Sequence, residues 1–504
     1  MLNRLAERRS GVWLWLAGYG LLWTLLPLIF NAGLPVDVME IVAWGREWLS
    51  GLYRHPPMKT WLMEMAFQGT GGWLGSAYVL SALAFAAAQL GIFAAIRDVQ
   101  TRSFAFAAVV LSTLIVYFGV HLPQWNANIA QLPFAALFVL AIWRALDRES
   151  AGWWLVTGAA AAGGFLTKYS FALIPLSVAL LVLYDPLMRR RIRLVPAGLG
   201  VAFTCALIAP NLLWLLNNPE ATEAALAANP RLSASGSAMA GLISALTVIG
   251  VTVAVAILPA IGVLRGLSAR GRVEDANLGR VHMLTRLFGV ALFGPIVATI
   301  GIAIATGLAI KDHWLIVNFL FVAPWLLMRV RGLSGEIEWT RSGTGFVLAC
   351  IVVIALVYPV ERWSHYWFAD GRPVSWTPLM PGEPLATEAK AVWTEALKRA
   401  GMPADATVAV VGGGVQAATV ANILPERPTW FEHLDTRLSP WVSEDELRRY
   451  GVLVVGTADT SSLAGLGLCR FASSDYAWLN GRGGAGLTVR IEAYLPAPVC
   501  PAIP

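Results

Sequence analysis

The sequence predicts an α-helical multi-pass membrane protein of about eleven transmembrane helices, followed by an α/β domain outside the membrane. Three observations carry this. Of 504 residues, 57% are hydrophobic and 13% charged, about half the charge of a soluble domain, and the mean hydropathy is +0.63. Apolar stretches of bilayer-spanning length recur from residue 11 to residue 359. Beyond residue 360 charges return, and helical and strand patterns alternate.

The spans are expected near 11–30, 76–96, 103–120, 129–146, 152–167, 170–184, 194–215, 239–264, 287–306, 314–328 and 343–359. The first follows MLNRLAERRS without a small-residue cleavage site, so it reads as a retained helix and not a signal peptide. The 22 Trp suit interfacial anchoring. Spans five and six are short. A helix of roughly 16 residues covers about 24 Å of an approximately 30 Å core, so Lys168, where the two meet, is expected slightly below the outer surface.

Alternate connections differ in charge. One set holds Arg4, Arg8, Arg9, Arg97, Arg102, Arg144, Arg148, Arg189, Arg190, Arg191, Arg193, Arg265, Arg270, Arg272, Arg280, Arg286, Arg329, Arg331 and Arg341. The other holds only Arg46, Arg54, Lys59, Lys168, Arg231 and Lys311: 19 basic residues against 6. The positive-inside rule places the N-terminus in the cytoplasm and, with an odd number of spans, the C-terminal domain outside. The expected location is a bacterial inner membrane, with residues 1–359 as the membrane domain and 360–504 in the periplasm.

In the outer domain, 386–401 reads as an amphipathic helix closed by Gly401. Segments 407–413 and 451–457 read as buried parallel strands, and 443–451 as a helix with a Ser cap and acids in its first turn. Gly412-Gly413-Gly414-Val415-Gln416-Ala417 fits GxGxxA after a strand, with Glu432 eighteen residues on. This outlines a dinucleotide fingerprint, but a tight strand-to-helix turn needing glycine is the preferred reading in a compartment without a nicotinamide pool. Cys469 and Cys500 both fall in this oxidising compartment and are expected to pair.

No Walker A motif or DxD occurs in the short basic connections, which excludes use of ATP or a sugar nucleotide there. No basic run interleaved with aromatics points to nucleic acid. The ionisable residues outside the arginine-rich face concentrate in 31–75. Pro35 followed by Asp37 marks a helix start, and Asp37, Glu40 and Trp44 then share one face. The proline-stiffened turn Tyr53-Arg54-His55-Pro56-Pro57-Met58-Lys59 follows. His121, Asn126, Asn128, Lys168 and the Lys311-Asp312-His313-Trp314 segment lie on the same side and can converge there. An intramembrane Lys is costly and is usually paired with an anion. The plainer readings are a helix-start charge for Asp37, lipid contact for the basic turn, snorkelling for Lys168 and interfacial hydrogen bonding for His121 and His313. A metal site among scattered His, Asp and Glu is a further alternative; no other cofactor is implied.

At these residues the sequence resembles the GT-C membrane glycosyltransferases, specifically the family 39/83 group related to protein mannosyltransferases and lipid A aminoarabinose transferases. The resemblance rests on Asp37, Trp44 and GLYRHPPMKTWL (51–62), with LTKYS (166–170) and KDHW (311–314) as further segments. RPTWFEHLDTRLSPWVSEDELRRYG (427–451) resembles the outer domain of the branch that adds uronic acids to lipid A or its core. It implies an inverting transferase that takes a sugar from a polyprenyl-phosphate donor and passes it to a lipid A, core or other periplasmic glycan hydroxyl, with Asp37 at the catalytic centre. Two departures stand out. Val38 replaces the Glu that many relatives have after the Asp, leaving Glu40 nearest, and His55 stands where aminoarabinose enzymes have Lys.

The residue chemistry agrees with that implication. Displacing a lipid phosphate from an anomeric carbon needs a base, for which Asp37 serves with Glu40 beside it. It also needs cations for the leaving phosphate, for which Lys168, Arg54, His55 and Lys59 serve; Lys311, Asp312, His313, His121 and Asn126 complete the expected site. A polytopic transporter or flippase is the alternative reading, and a glycan-binding membrane protein a third.

Overall fold

In the computed structural model the described residues are all except 222, 224–237, 271–276, 331–332, 334, 368–379, 381, 405, 407–408, 413–414, 479–486 and 498–504; of 238, 270, 312, 365–367, 478 and 487 the backbone alone is described. Among the described residues seven helices are long and apolar enough to cross a bilayer: Gly11–Phe30, Ser76–Arg97, Ala127–Asp147, Leu194–Asn217, Met239–Gly266, Leu278–Thr306 and Arg341–Ser364. Each coincides with an expected span.

The other four expected spans are shorter or broken. The 103–120 stretch is helical only over Arg102–Ser112. The buried Tyr19 hydroxyl donates to the carbonyls of Thr113 (3.3 Å) and Phe118 (3.0 Å), and the chain leaves through a tight turn at Val116–Phe118. Asn126 then starts the next helix, its Oδ1 accepting from the amides of Asn128 (2.9 Å) and Ile129 (3.2 Å). Spans five and six are two short helices, Ala151–Phe165 and Leu173–Tyr184, meeting beside Lys168 as expected. The 314–328 stretch is split into Asp312–Leu315, Ile316–Phe319 and Val322–Arg329. Residues Leu315 to Ala323 are all buried, the condition under which irregular backbone is tolerated at membrane depth.

The arginine-rich connections converge at one end. Asp98 accepts from Arg144 (2.8 Å) and Arg148 (3.1 Å), Asp147 pairs with Arg280 (2.7 Å) and Arg191 (3.8 Å), and Asp185 pairs with Arg286. An antiparallel ribbon of Leu267–Arg270 (β1) and Glu336–Trp339 (β2) lies with them, held to the N-terminal segment by two hydrogen bonds between Asn3 and Trp339. Residues 31–75, the Lys168 turn and the C-terminal domain gather at the other end.

The last spanning helix continues without a break from Arg341 to Trp367. The C-terminal domain is built on Ala409–Gly412 (β3), Thr429–Glu432 (β4), Val452–Val455 (β5), Leu468–Trp478 (β6) and Leu487–Pro496 (β7), in the order β4-β3-β5-β7-β6. The two strands expected to be parallel, β3 and β5, are neighbours and parallel; β7 and β6 are antiparallel. The amphipathic helix runs Gly382–Ala400 and ends at Gly401 with φ +67; Ser443 caps Glu444–Tyr450. Strand alternation divides the sheet. Val410, Leu453, Val455 and Ile491 join the large core shared with the membrane body, while Val411, Phe431, Val452 and Val454 pack with Leu447 and Leu463 on the other face. Cys469 is disulfide-bonded, Cys205 and Cys350 are free, and Cys500 lies outside the described residues.

The glycine-rich turn has a packing reason. A Cβ at Gly412 would stand 2.3 Å from the Val455 carbonyl oxygen, so the approach of β3 to β5 requires glycine. Residues 413–414 lie outside the described residues.

Candidate active site

Pro35 opens the Val36–Gly45 helix, with Asp37 in its first turn. Asp37 is exposed and Glu40, one turn on, is half-buried, so both face the rim as their spacing predicts. A second helix, Met58–Gly69, packs across the first. The approach is close enough at Gly45 that a Cβ would stand 2.9 Å from the Thr60 carbonyl oxygen. The Tyr53–Lys59 turn between them is tied to the Lys168 turn by the Met58 amide donating to the Leu166 carbonyl (2.9 Å). Asn211 Nδ2 donates to the Ser50 carbonyl (2.8 Å) and its Oδ1 accepts from the Tyr169 hydroxyl (3.3 Å).

This framework brings three cations to Asp37, whose charge reaches Arg54, Lys59 and Lys168. Lys59 is 3% exposed. Burial lowers it to about 7, against the pull of Asp37 and Glu40, and its Nζ lies 5.8 Å from the centre of the Trp44 ring. Burial lowers Lys168 to about 8. Its Nζ donates to Asn128 Oδ1 (2.8 Å) and lies 5.5 Å from the Trp314 ring centre. Glu40 is raised to about 7, again mainly by burial, and pairs with Arg54 at 3.4 Å.

His55 differs from the expectation that it is one of the cations. Desolvation first, then the charges of Lys59, Lys168 and Arg54, hold it well below the usual histidine range. It therefore offers a neutral imidazole at neutral pH. Asn126 serves as a helix cap, and its neighbour Asn128 is the residue that meets Lys168. The KDHW segment joins the cluster through Trp314. His313 stacks with His121 at 6.4 Å, and His121 on Tyr117 at 5.0 Å. Lys311 is exposed at the start of that turn, and the side chain of Asp312 lies outside the described residues. Among the described residues no group of three or more His, Cys, Asp or Glu is placed to hold a metal.

One site residue comes from far along the chain. Glu432, at the end of β4, is 2% exposed. Its Oε1 accepts from the Tyr53 hydroxyl at 2.7 Å and lies 3.6 Å from Arg54. The acid of the dinucleotide outline is thus turned into the first-loop turn. Trp430, also on β4, stacks on Trp44 at 5.9 Å. Arg427 donates to both oxygens of the buried Glu64 (2.7 and 2.9 Å), and Asn422 to the Met39 carbonyl (2.8 Å). The only sequence signal for these contacts is the clustering of Arg427, Trp430 and Glu432 in the 427–451 segment.

Comparison with known proteins bears on this arrangement. The model of the dolichyl-phosphate-mannose-protein mannosyltransferase family matches residues 54–214, from the first-loop turn through the Lys168 turn to Asn211. The crystal structure of ArnT from Cupriavidus metallidurans bound to undecaprenyl phosphate superposes with a TM-score of 0.55 at 14% identity, covering 98% of this chain and 100% of that one. The chain has the GT-C glycosyltransferase fold. Two lipopolysaccharide core galacturonosyltransferases of Rhizobium johnstonii are similar in sequence. RgtB is 26% identical over 336 residues, 63% of this chain and 65% of its own length. RgtA is 27% identical over 381 residues, 70% of this chain and 72% of its own. The match thus spans just under two thirds of RgtB. In the GT-C fold described here, the Asp37 helix, the Tyr53–Lys59 turn and the Lys168 turn form one rim at the end opposite the arginine network, beneath the C-terminal domain.

Proposed function

We propose that this chain is an inverting glycosyltransferase. It moves a sugar, a uronic acid by likeness to the two galacturonosyltransferases, from a polyprenyl-phosphate donor to a hydroxyl of lipid A or lipopolysaccharide core. The catalytic rim, within residues 31–75 of a membrane domain spanning 1–359, faces the periplasm of a bacterial inner membrane, as does the domain formed by 360–504. The observation that carries the reading is the exposed Asp37 carboxylate within electrostatic reach of Arg54, Lys59 and Lys168.

The acceptor oxygen attacks the anomeric carbon on the face opposite the phosphate and passes its proton to Asp37. A new C–O bond forms as the anomeric carbon–phosphate oxygen bond breaks, and the electron pair leaves with the polyprenyl phosphate. Lys59 and Lys168 offset the negative charge developing there. Glu40, already paired with Arg54, orients that guanidinium, and neutral His55 donates a hydrogen bond without adding charge. The donor is activated beforehand, so the reaction needs no nucleotide.

The test is sugar release from a labelled polyprenyl-phosphate donor by purified protein. The transferase consumes it; a flippase or a glycan-binding protein does not. Asp37→Asn keeps shape and hydrogen bonding but removes the proton acceptor, so transfer falls about 10²–10⁴-fold while the donor still binds. Retention of more than about a tenth of wild-type rate returns Asp37 to a helix-start charge worth about 0.3–1 kcal/mol.

A further inference from the structure

We propose that Glu432, supplied by the C-terminal domain, is a positioning residue of the transferase site that fixes Tyr53 and Arg54 of the first-loop turn. The inference rests on the reading of this rim as a glycosyltransferase site.

A single carboxylate oxygen serves two residues of the turn. Oε1 of Glu432 accepts from Tyr53 and faces Arg54, whose other partner is Glu40. The guanidinium is held between two acids on opposite sides of an interdomain boundary. Behind this contact, Trp44 stacks on Trp430 and meets Tyr53 edge-on at 5.9 Å, and all of these side chains except Arg54 and Glu40 are buried. Such packing fixes the turn to one arrangement. A buried carboxylate is costly unless it is paired, and an interior apolar residue would stabilise the boundary more cheaply. The acid is explained by the guanidinium it must hold.

Glu432 touches neither the reacting carbon nor the phosphate in this scheme; it acts through Arg54 and Tyr53. The expected signature is therefore a loss in rate without a loss in donor affinity. Glu432→Gln preserves size and the acceptor for Tyr53 but removes the charge opposite Arg54. It also removes one of the anions that disfavour a negatively charged donor. We expect kcat to fall about tenfold or more, since small misplacements of substrate-positioning groups cost up to about 10²-fold, with donor KM unchanged or lower and Tm unchanged. Tyr53→Phe combined with Glu432→Ala should cost no more than Glu432→Ala alone, because both remove the Tyr53–Glu432 hydrogen bond. Glu432→Asp, which keeps the charge on a shorter side chain, should recover part of the rate.

A kcat within twofold of wild type for Glu432→Gln overturns the proposal, as does strict additivity of Glu432→Ala with Tyr53→Phe. A matched fall in Tm and kcat that Gln shares with Ala indicates a domain-docking contact only and also overturns it. Hydrogen exchange separates this inference from the function it rests on. In Glu432→Gln, amides of 51–59 should exchange at least tenfold faster with the spans unchanged. If wild-type protein transfers no sugar, the transferase reading falls, and unchanged exchange at 51–59 then overturns the positioning claim by itself.

Discussion

Donor binding should take up protons, and by an amount fixed by two lysines. Burial holds Lys59 at about 7 and Lys168 at about 8. At pH 8 Lys59 is about one-tenth charged and Lys168 about half charged. A lipid phosphate seated between them favours both charged forms and raises both well above 8. Binding at pH 8 should therefore take up roughly 1.4 protons per site, and at pH 6, where both are already charged, less than about 0.2. Glu40, raised to about 7, responds to a nearby anion in the same direction and adds to the uptake. Linkage gives the sign for affinity. Because the complex holds more protons than the free protein, donor binding weakens as pH rises, by about tenfold or more per unit near pH 8. The assay is titration calorimetry in buffers of different ionisation enthalpy. A polyprenyl phosphodiester serves as ligand, since its single charge does not titrate in this range. Lys59→Met should cut the uptake at pH 8 to about half a proton. An uptake below about 0.3 protons at pH 8, or one that does not change between pH 6 and 8, would show that neither lysine meets the phosphate.

Three further outcomes are expected. Lys168→Ala leaves the base intact but removes a cation from a low-dielectric site, so donor KM should rise about 10–100-fold with a fall in rate, measured by steady-state transfer. Arg427→Ala leaves the buried Glu64 carboxylate with the Gln68 amide (2.8 Å) as its remaining donor; the cost should be about 1–3 kcal/mol, read as a lowered Tm and faster proteolysis between the two domains. A reporter active only outside the cytoplasm, fused at Pro504, should be active; activity of a cytoplasm-only reporter there would overturn the topology and the site with it.

The full-length spans were legible because hydrophobic length alone defines them. The broken ones were not, and the reason is tertiary. The 103–120 stretch carries no proline or glycine at its break; its helix ends where the Tyr19 hydroxyl, from the first span, meets the carbonyls of Thr113 and Phe118. Asp37 and the Tyr53–Lys59 turn stood out because ionisable residues are scarce away from the arginine-rich face. Lys168 stood out because an ammonium near the hydrocarbon is expensive. The neutrality of His55 was hidden, since it depends first on burial and then on the charges of Lys59 and Arg54 in its own turn and of Lys168 from a distant one. Glu432 was visible only as the acid of the dinucleotide outline and as one residue of the 427–451 segment. Its partner Tyr53 is 379 residues away, and no local pattern encodes a contact made when one domain docks on another.

The charge balance of the rim bears on how such a site can accelerate transfer and not merely bind. Asp37, Glu40 and Glu432 face Arg54, Lys59 and Lys168, so the side chains of the site leave no large surplus of either sign. A sugar–phosphate–lipid diester carries one negative charge on its phosphate. As the anomeric bond breaks, the leaving lipid phosphate gains a second, while the proton lost by the acceptor neutralises Asp37. The cations thus meet more negative charge in the transition state than in the ground state, the condition for raising rate and not only affinity. Lysines depressed to about 7 and 8 suit this task. They are only partly charged before the donor arrives, so the rim is spared two largely desolvated ammonium groups. They become charged when the phosphate supplies the counter-charge, and their pull strengthens as that phosphate departs. Two arginines in their place would be charged throughout and would hold donor and product alike.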